Sequence, residues 1–235
     1  MNRSISDMIA RGVIVSCQLD SSEPLHWPSH CALFAQSAML GGAVGIRAEG
    51  VNNIKEIRAT VRLPLIGCIR DSYDDGLPLV TPNMNAIDEL FRLGVDVIAV
   101  DATSRLRPGT ITDGTRLVAD TRKRYPAHLI LADISTFEEG IKALDVGADA
   151  LSTVLFGRTP DTLDNPPSVK DHLDLIYKLS TTVSQPAFAE GFVWSIEDAT
   201  YALEAGAYGV IVGGAITRPR VLTQLFVDAV EGIQI

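Results

Sequence analysis

Eight short apolar runs, alternating with segments of helical spacing, constrain the fold of this chain more than any other feature. Four of the junctions that lead from a helical segment into the next apolar run start at a glycine, namely Gly42, Gly94, Gly147 and Gly206. Glycine ends a helix easily because it adopts the left-handed backbone conformation, and parallel strands need a crossover, usually a helix, between them. The alternation therefore predicts a buried parallel sheet covered by helices.

The number of repeats favours a closed barrel. The predicted strands are 13–17, 43–47, 63–70, 95–101, 129–133, 148–154, 187–190 and 208–212. Eight units of roughly 25–30 residues match a (β/α)8 TIM barrel. Because no linker rich in proline, glycine or serine divides residues 1–235, we predict a single α/β barrel domain. A doubly wound open sheet is the alternative, but it usually has fewer strands, and no glycine-rich phosphate loop follows Val15.

Local signals place several helices and loops. Ser195 is a predicted N-cap, and Thr136 with Glu139 has the spacing of a capping box. The polar segments 71–82 and 157–167 are predicted to be loops, and the first is long enough to cover a site. These signals leave the strand ends as the places where functional residues are expected.

Charge and cysteine content limit the partners and the compartment. The net charge of −9 argues against nucleic acid and anionic membranes, since both favour a basic face. The three cysteines are widely spaced, which is typical of reduced thiols, and neither a signal peptide nor an apolar run of membrane length is present. We therefore expect a cytoplasmic protein. Because no HExxH, CxxC or histidine cluster occurs, we expect no catalytic metal.

Polar or glycine residues follow the predicted strands at their carboxyl ends. They are Gln18, Arg47, Arg70, Asp101, Asp133, Thr153, Glu190 and the pair Gly213 and Gly214. In a TIM barrel these ends converge on one mouth, so groups of opposite charge are expected to meet there and to shift each other's pKa. The two glycines suit a phosphate that approaches backbone amides, since the loops after strands seven and eight are a frequent phosphate site. A tight turn that needs glycine is the alternative.

Motifs spread along the chain resemble one known family. They lie at 13–18, 45–47, 65–67, 98–103 with 107–108, 132–136, 189–191 and 212–218. In this combination the sequence resembles the N-acetylmannosamine-6-phosphate 2-epimerases of sialic acid and amino-sugar catabolism over nearly its whole length. The resemblance implies a TIM barrel that interconverts N-acetylmannosamine 6-phosphate and N-acetylglucosamine 6-phosphate without a nucleotide, metal or other cofactor.

The same resemblance implies a reaction and residue roles. The family acts on the open-chain sugar, removing the C2 proton and returning it on the other face. The enolate formed in between needs electrostatic support at its oxygen. By motif, the catalytic acid–base positions are occupied here by Glu190 and Arg70. The candidate substrate-binding residues are Gln18, Arg47, Asp133, Thr153, Gly191, Gly213, Gly214 and Arg218. The expected partner is a phosphorylated amino sugar. A homodimer is a further expectation for the assembly of the protein.

The sequence departs from the family at two points. The family has lysine where this chain has Arg70, and its Leu-Ser-Gly-Tyr-Thr motif is replaced by Leu-Phe-Gly-Arg-Thr at 155–159. A guanidinium keeps its proton in nearly any environment, so Arg70 is a poor general base that can still stabilise an enolate. Three hypotheses follow: an epimerase in which Glu190 carries more of the proton transfer, a divergent barrel isomerase acting on another phosphorylated sugar, or a phosphosugar-binding protein without turnover.

Overall fold

Strands and helices alternate along the chain in the computed structural model, which describes residues 4–19, 21–163 and 166–232. The strands are β1 (Val13–Cys17), β2 (Gly45–Glu49), β3 (Leu65–Cys68), β4 (Arg70–Ser72), β5 (Pro78–Val80), β6 (Val97–Asp101), β7 (Leu129–Asp133), β8 (Ala150–Ser152), β9 (Ala187–Glu190) and β10 (Gly209–Val212). The helices are α1 (Ile5–Met8), α2 (Pro28–Leu40), α3 (Val51–Thr60), α4 (Met84–Arg92), α5 (Gly114–Arg124), α6 (Phe137–Asp145), α7 (Pro160–Leu163), α8 (Val169–Thr182), α9 (Ile196–Glu204), α10 (Gly214–Thr217) and α11 (Pro219–Glu231).

Eight of these strands close into one barrel in the order β1-β10-β9-β8-β7-β6-β3-β2. Each is parallel to its neighbours, and Val15 of β1 stands level with Val212 of β10 where the barrel closes. The predicted (β/α)8 barrel is therefore confirmed. Since all eight strands run the same way, their carboxyl ends open on a single face.

Side-chain caps fix where several crossover helices begin. Thr136 and Glu139 form a capping box at α6, and Ser195 and Asp198 form another at α9. Each cap satisfies N–H groups that the first helical turn leaves unpaired. Both N-caps predicted from the sequence are confirmed. Within the described residues, no helix combines the length and the apolar character needed to cross a membrane.

Apolar side chains fill the barrel interior as well as the space between strands and helices. The interior cluster contains Ile14, Leu131 and Phe188, and α1 with its flanking residue adds Ile5 and Ile9 to it. The hydroxyl of Tyr208, just before β10, donates to the Ile9 carbonyl over 2.9 Å, which places this segment at the amino-terminal end of the barrel. The sequence did not predict α1, because four residues are too few to show helical periodicity.

Residues 70–80 form a hairpin where a polar loop was predicted. β4 pairs antiparallel with β5, and the turn between them contains Gly76 with a φ of +79°. The third barrel strand ends at Cys68, so Arg70 lies on the hairpin and not at the end of that strand as predicted. The Asp75–Gly76 pair is a frequent hairpin signal and accounts for the turn. The second predicted loop, 157–167, contains α7, and residues 164 and 165 lie outside the described residues.

Candidate active site

A cavity of about 210 Å³ opens at the carboxyl ends of the barrel strands. The polar, glycine and tryptophan residues that line it are Ser16, Gln18, Arg47, Arg70, Arg158, Glu190, Gly191, Trp194, Gly213, Gly214 and Arg218. Four arginines against one glutamate make this cavity cationic in a chain whose net charge is −9. A cavity lined with one sign of charge concentrates small ligands of the opposite sign.

An ion cluster lies at the bottom of the cavity, and we call Arg47, Asp133 and Glu190 the inner cluster. Arg47 donates to both carboxylate oxygens of Asp133, over 2.9 and 2.5 Å, and to Oε2 of Glu190 over 2.6 Å. The three residues come from β2, β7 and β9, so only the closed barrel brings them together. Arg47 was predicted at the end of a strand, but it lies inside β2 with 1% exposure.

Burial and pairing act against each other on these ionisable groups. Burial disfavours the charge of Arg47, but Asp133 and Glu190 raise its pKa well above the ordinary value. Burial raises the pKa of Asp133 to about 6, against the attraction of Arg47. Arg47 therefore keeps its proton, because a buried guanidinium with two carboxylate partners has no reason to release it.

Glu190 is held on one side and open on the other. Its Oε2 accepts hydrogen bonds from Arg47 and from the Ser152 hydroxyl, the latter over 2.7 Å. No described residue donates to Oε1, and the side chain lines the cavity. One carboxylate oxygen is therefore available to a ligand while the other fixes the orientation of the group. Ser152 was missed by the sequence reasoning, which placed Thr153 at this strand end.

Thr153 supports Glu190 from behind. Its hydroxyl accepts the Glu190 backbone N–H over 3.0 Å and lies 2.7 Å from Nε2 of His172 on α8. Thr153 is 1% exposed and does not line the cavity, in contrast to its predicted role as a substrate contact. Successive residues of a strand face opposite sides, so with Ser152 inside the barrel Thr153 must face the helices. Asp133 likewise contacts Arg47 and not the cavity surface.

Three further arginines surround the mouth, and we call Arg70, Arg158 and Arg218 the arginine rim. Nη2 of Arg70 donates to Oε1 of Gln18 over 2.9 Å, and Nη2 of Arg218 donates to the Gln18 carbonyl over 3.2 Å. Glu49 accepts from the backbone N–H of Arg70 over 3.4 Å and not from its guanidinium. Arg158 was not predicted as a site residue, because a loop side chain carries no periodic signal.

The glycines of the predicted phosphate turn line the cavity for a steric reason. Gly213 has a φ of −112°, which other residues adopt, so a left-handed turn does not explain it. A Cβ atom on Gly214 would lie 2.6 Å from Cη2 of Trp194, so the indole packs where a side chain would stand. Gly191, with a φ of +87°, does need the left-handed conformation. The backbone at 213–214 is thus open to the cavity and covered on one side by Trp194.

Asp101, the remaining acidic strand end, is used internally. Its carboxylate lies 3.3 Å from Arg107 and accepts from the Thr103 hydroxyl over 2.6 Å. It is 1% exposed and is not part of the cavity wall. Among the described residues, no group of three or more histidine, cysteine, aspartate or glutamate side chains is arranged to hold a metal ion.

A closed (β/α)8 barrel with an arginine-lined cavity and one carboxylate at its strand ends defines a TIM-barrel protein for a small anionic ligand. Residues 31–232 match the family described as "Putative N-acetylmannosamine-6-phosphate epimerase". The chain therefore belongs to the N-acetylmannosamine-6-phosphate epimerase family, as the sequence motifs predicted.

Relatives and solved structures agree with this assignment. A protein from Caldanaerobacter subterraneus subsp. tengcongensis with the corresponding 2-epimerase name is 42% identical over 98% of this chain and 96% of its own length. A solved N-acetylmannosamine-6-phosphate 2-epimerase from Clostridium perfringens is 41% identical, with a TM-score of 0.86 over 97% of both chains. Thiamine phosphate pyrophosphorylase from Pyrococcus furiosus, 17% identical with a TM-score of 0.59, shares the fold alone.

Proposed function

We propose that this protein is an isomerase that interconverts N-acetylmannosamine 6-phosphate and N-acetylglucosamine 6-phosphate by epimerisation at C2, a reaction of amino-sugar and sialic acid catabolism. The observation that carries the proposal is Glu190, a carboxylate on the cavity wall with Oε2 fixed by Arg47 and Ser152 and Oε1 open. A proton-transfer group needs this combination of fixed orientation and access to the substrate. Family membership supplies the substrate class.

The proposed chemistry takes place on the open-chain sugar. Glu190 accepts the C2 proton, and the electron pair of the broken C–H bond passes into the C1–C2 bond, so that negative charge develops on the aldehyde oxygen. Arg70 stabilises this enolate oxygen electrostatically, since its guanidinium keeps its proton and cannot act as a base. A water molecule from solvent donates a proton to the other face of C2, which regenerates the aldehyde with inverted configuration, and Glu190 then releases the proton it had taken up to solvent. In this scheme Glu190 removes the C2 proton, and Arg70 stabilises the negative charge on the enolate oxygen.

The remaining contacts follow from the cavity wall. Gly213, Gly214 and Arg218 are the proposed phosphate contacts, since the loops after the last two barrel strands often bind phosphate. Gln18 and Gly191 are proposed to contact the sugar, because both line the same cavity. Arg47 acts through Glu190, whose carboxylate it holds in place, and Asp133 acts one step further back by orienting Arg47.

Exchange of the C2 proton tests this function. N-acetylmannosamine 6-phosphate incubated with the protein in deuterium oxide should acquire deuterium at C2 and yield the gluco epimer, both seen by NMR. Glu190→Gln should lower the rate by about 10²- to 10⁴-fold, the usual contribution of a general acid or base. Binding of the ligand without exchange would favour a phosphosugar-binding protein, and exchange with another phosphosugar alone would favour a divergent isomerase.

A homodimer is proposed from the surface of α11. None of its residues is buried, and Leu225, Phe226 and Val230 are 46%, 67% and 66% exposed. An apolar helix face of this kind usually marks a contact surface, and the simplest occupant is a second copy of the chain. Light scattering should give twice the monomer mass, and Phe226→Glu should restore the monomer. A monomeric wild-type protein at micromolar concentration would contradict the proposal.

We also propose that the protein works in the cytoplasm. Cys17, Cys31 and Cys68 are free thiols in the structure. Burial raises the pKa of each, to about 12, 11 and 12, so they are protonated and unreactive. Free thiols of this kind are typical of reducing compartments.

A further inference from the structure

The cavity holds more positive charge than the inner cluster can neutralise. Arg47 already contacts two carboxylates, Asp133 and Glu190, which together exceed its charge. Apart from Asp161, whose side chain the structure does not describe, no described carboxylate is within ion-pair distance of the three rim arginines. Arg70 and Arg218 donate to Gln18, whereas the Arg158 guanidinium has no hydrogen-bond acceptor among the described residues. Guanidinium groups grouped in this way need an anion between them.

Two of the rim arginines approach the cavity from either side of one strand. Arg158 follows β8 and Arg218 follows β10, and β9 lies between these two strands in the barrel. The loop after β9 carries Trp194, which lines the cavity between them. Partial withdrawal from water lowers the pKa of Arg158, and Arg218 is the strongest of the neighbouring cations that add to this effect, while Glu190 opposes it. Arg158 and Arg218 thus line the same cavity from either side of β9.

The charge of the substrate divides naturally among the three rim arginines. A phosphomonoester carries about two negative charges at neutral pH. The enolate of the proposed reaction adds one more. In the proposed reaction Arg70 stabilises the enolate, and it lies on the hairpin that follows the third barrel strand, with its guanidinium bonded to the Gln18 side chain. This leaves Arg158 and Arg218 for the phosphate.

We propose that Arg158 is a phosphate-binding residue. Together with Arg218, which lies on the other side of the loop after β9, it binds the phosphate dianion of the substrate. The assignment rests on the proposed function for the sugar and extends it by naming a second phosphate-binding residue. Arg158 lies in the 155–159 segment, where the sequence departs from the family pattern. The proposed phosphate contact is therefore specific to this chain. It predicts that Arg158 contributes to binding of the phosphate and not to the chemical step.

Inorganic phosphate binding tests the inference independently of turnover. Trp194 lines the cavity and reports on its occupancy by fluorescence once Trp27, the other tryptophan, is replaced by phenylalanine. In that background Arg158→Gln should weaken phosphate binding by about 10- to 100-fold, the usual effect of losing a hydrogen bond to a charged group. Arg158→Lys should lose less. Arg116→Gln, a charge-matched control at an exposed site on α5, should bind phosphate as the parent does.

Kinetics on two substrates separate phosphate binding from a general loss of activity. With N-acetylmannosamine 6-phosphate, Arg158→Gln should raise KM by a similar factor and leave kcat unchanged; with unphosphorylated N-acetylmannosamine, kcat/KM should not change. Unaltered phosphate binding in Arg158→Gln, or equal losses on the two sugars, would overturn the inference. Failure of the wild type to exchange the C2 proton while phosphate binding still depends on Arg158 would overturn the epimerase function and leave the phosphate site standing.

Discussion

The inner cluster and the arginine rim lie in one cavity but are built on opposite principles. Arg47 and Asp133 sit inside barrel strands with 1% and 0% exposure, and their charges compensate each other without a ligand. Arg158 lies on a loop, is exposed, and has no carboxylate partner among the described residues. The inner cluster is therefore preorganised by the fold, whereas the rim is completed by an anion. Changes to the first should disturb stability and chemistry together, and changes to the second should disturb binding or chemistry with little loss of stability.

The largest effect is expected from Arg47→Met. The variant leaves the carboxylates of Asp133 and Glu190 buried side by side without a cation, and removing one partner of a buried ion pair typically costs about 3–5 kcal/mol. Denaturant titration should show that loss, and epimerase activity should disappear with it. Arg58→Met is the matched control, since its pair with Asp96 is partly exposed and should be worth about 1 kcal/mol or less. If the two variants were equally stable, the claim that the buried ion pairs of the inner cluster contribute more to stability than a partly exposed pair would be wrong.

The second largest effect is expected from acid, which should destabilise the buried contact between His172 and Thr153 behind the inner cluster. His172 is buried against Thr153 and the rings of Phe156 and Phe192, and burial lowers its pKa from 6.5 to about 4. Since the folded state prefers the neutral ring, its contribution to stability is complete above pH 6.5 and is lost as the pH falls towards 4. The loss amounts to about 3 kcal/mol at pH 4.

Comparison with a variant isolates this contribution from the many carboxylates that titrate in the same range. The difference in unfolding free energy between wild type and His172→Gln should shrink as the pH falls from 6.5 to 4, because only the wild type must bury a group that prefers to be charged. A difference that is constant with pH would show that His172 does not titrate in the expected window. The experiment is a series of denaturant titrations at fixed ionic strength.

Much of the fold was predictable, because each repeat carries its own signals. The eight apolar runs, the glycines at the helix ends and the Ser195 cap all act within about ten residues of sequence. The hairpin was missed although Asp75 and Gly76 signal a turn, since β4 and β5 have only three residues each. A strand of three residues shows too little alternation to be recognised.

The site was predictable as a set of residues but not as an arrangement. Arg47 and Glu190 are 143 positions apart, and their contact depends on closure of the barrel. Thr153 shows the limit most clearly, because a shift of one residue in where β8 ends exchanges the inward with the outward side chain. Ser152 therefore faces the barrel interior and contacts Glu190, where Thr153 was predicted to lie. Arg158 had no periodic pattern to place it.

Thr153→Val should sharpen the distinction between positioning and catalysis. The substitution keeps the shape but leaves the Glu190 N–H and one nitrogen of His172 without their buried partner, at a cost of about 1–3 kcal/mol in unfolding free energy. We expect kcat to fall by about tenfold with KM unchanged, since Glu190 is misplaced while the binding groups remain. Thr121→Val is the control: this threonine is equally buried but bonds within α5, so kcat should not change. Equal kinetic effects in both variants would reduce Thr153 to a structural residue.

The smallest effect is expected at the rim, from Arg70→Lys. Lysine retains the positive charge but can lose its proton when partly buried, so it can return a proton to the face of C2 opposite Glu190. If the cavity is otherwise competent, kcat should rise by about tenfold, and activity should acquire an additional dependence on pH. Stability should hardly change, because the Arg70 guanidinium contacts Gln18 and, in the part of the chain that the structure describes, no carboxylate. Arg70→Gln removes the charge and should lower kcat, which separates the gain of a base from the loss of a guanidinium. A fall in kcat with lysine would mean that the guanidinium geometry itself, fixed by Gln18, is what the enolate requires, and the rim would then be as preorganised as the inner cluster.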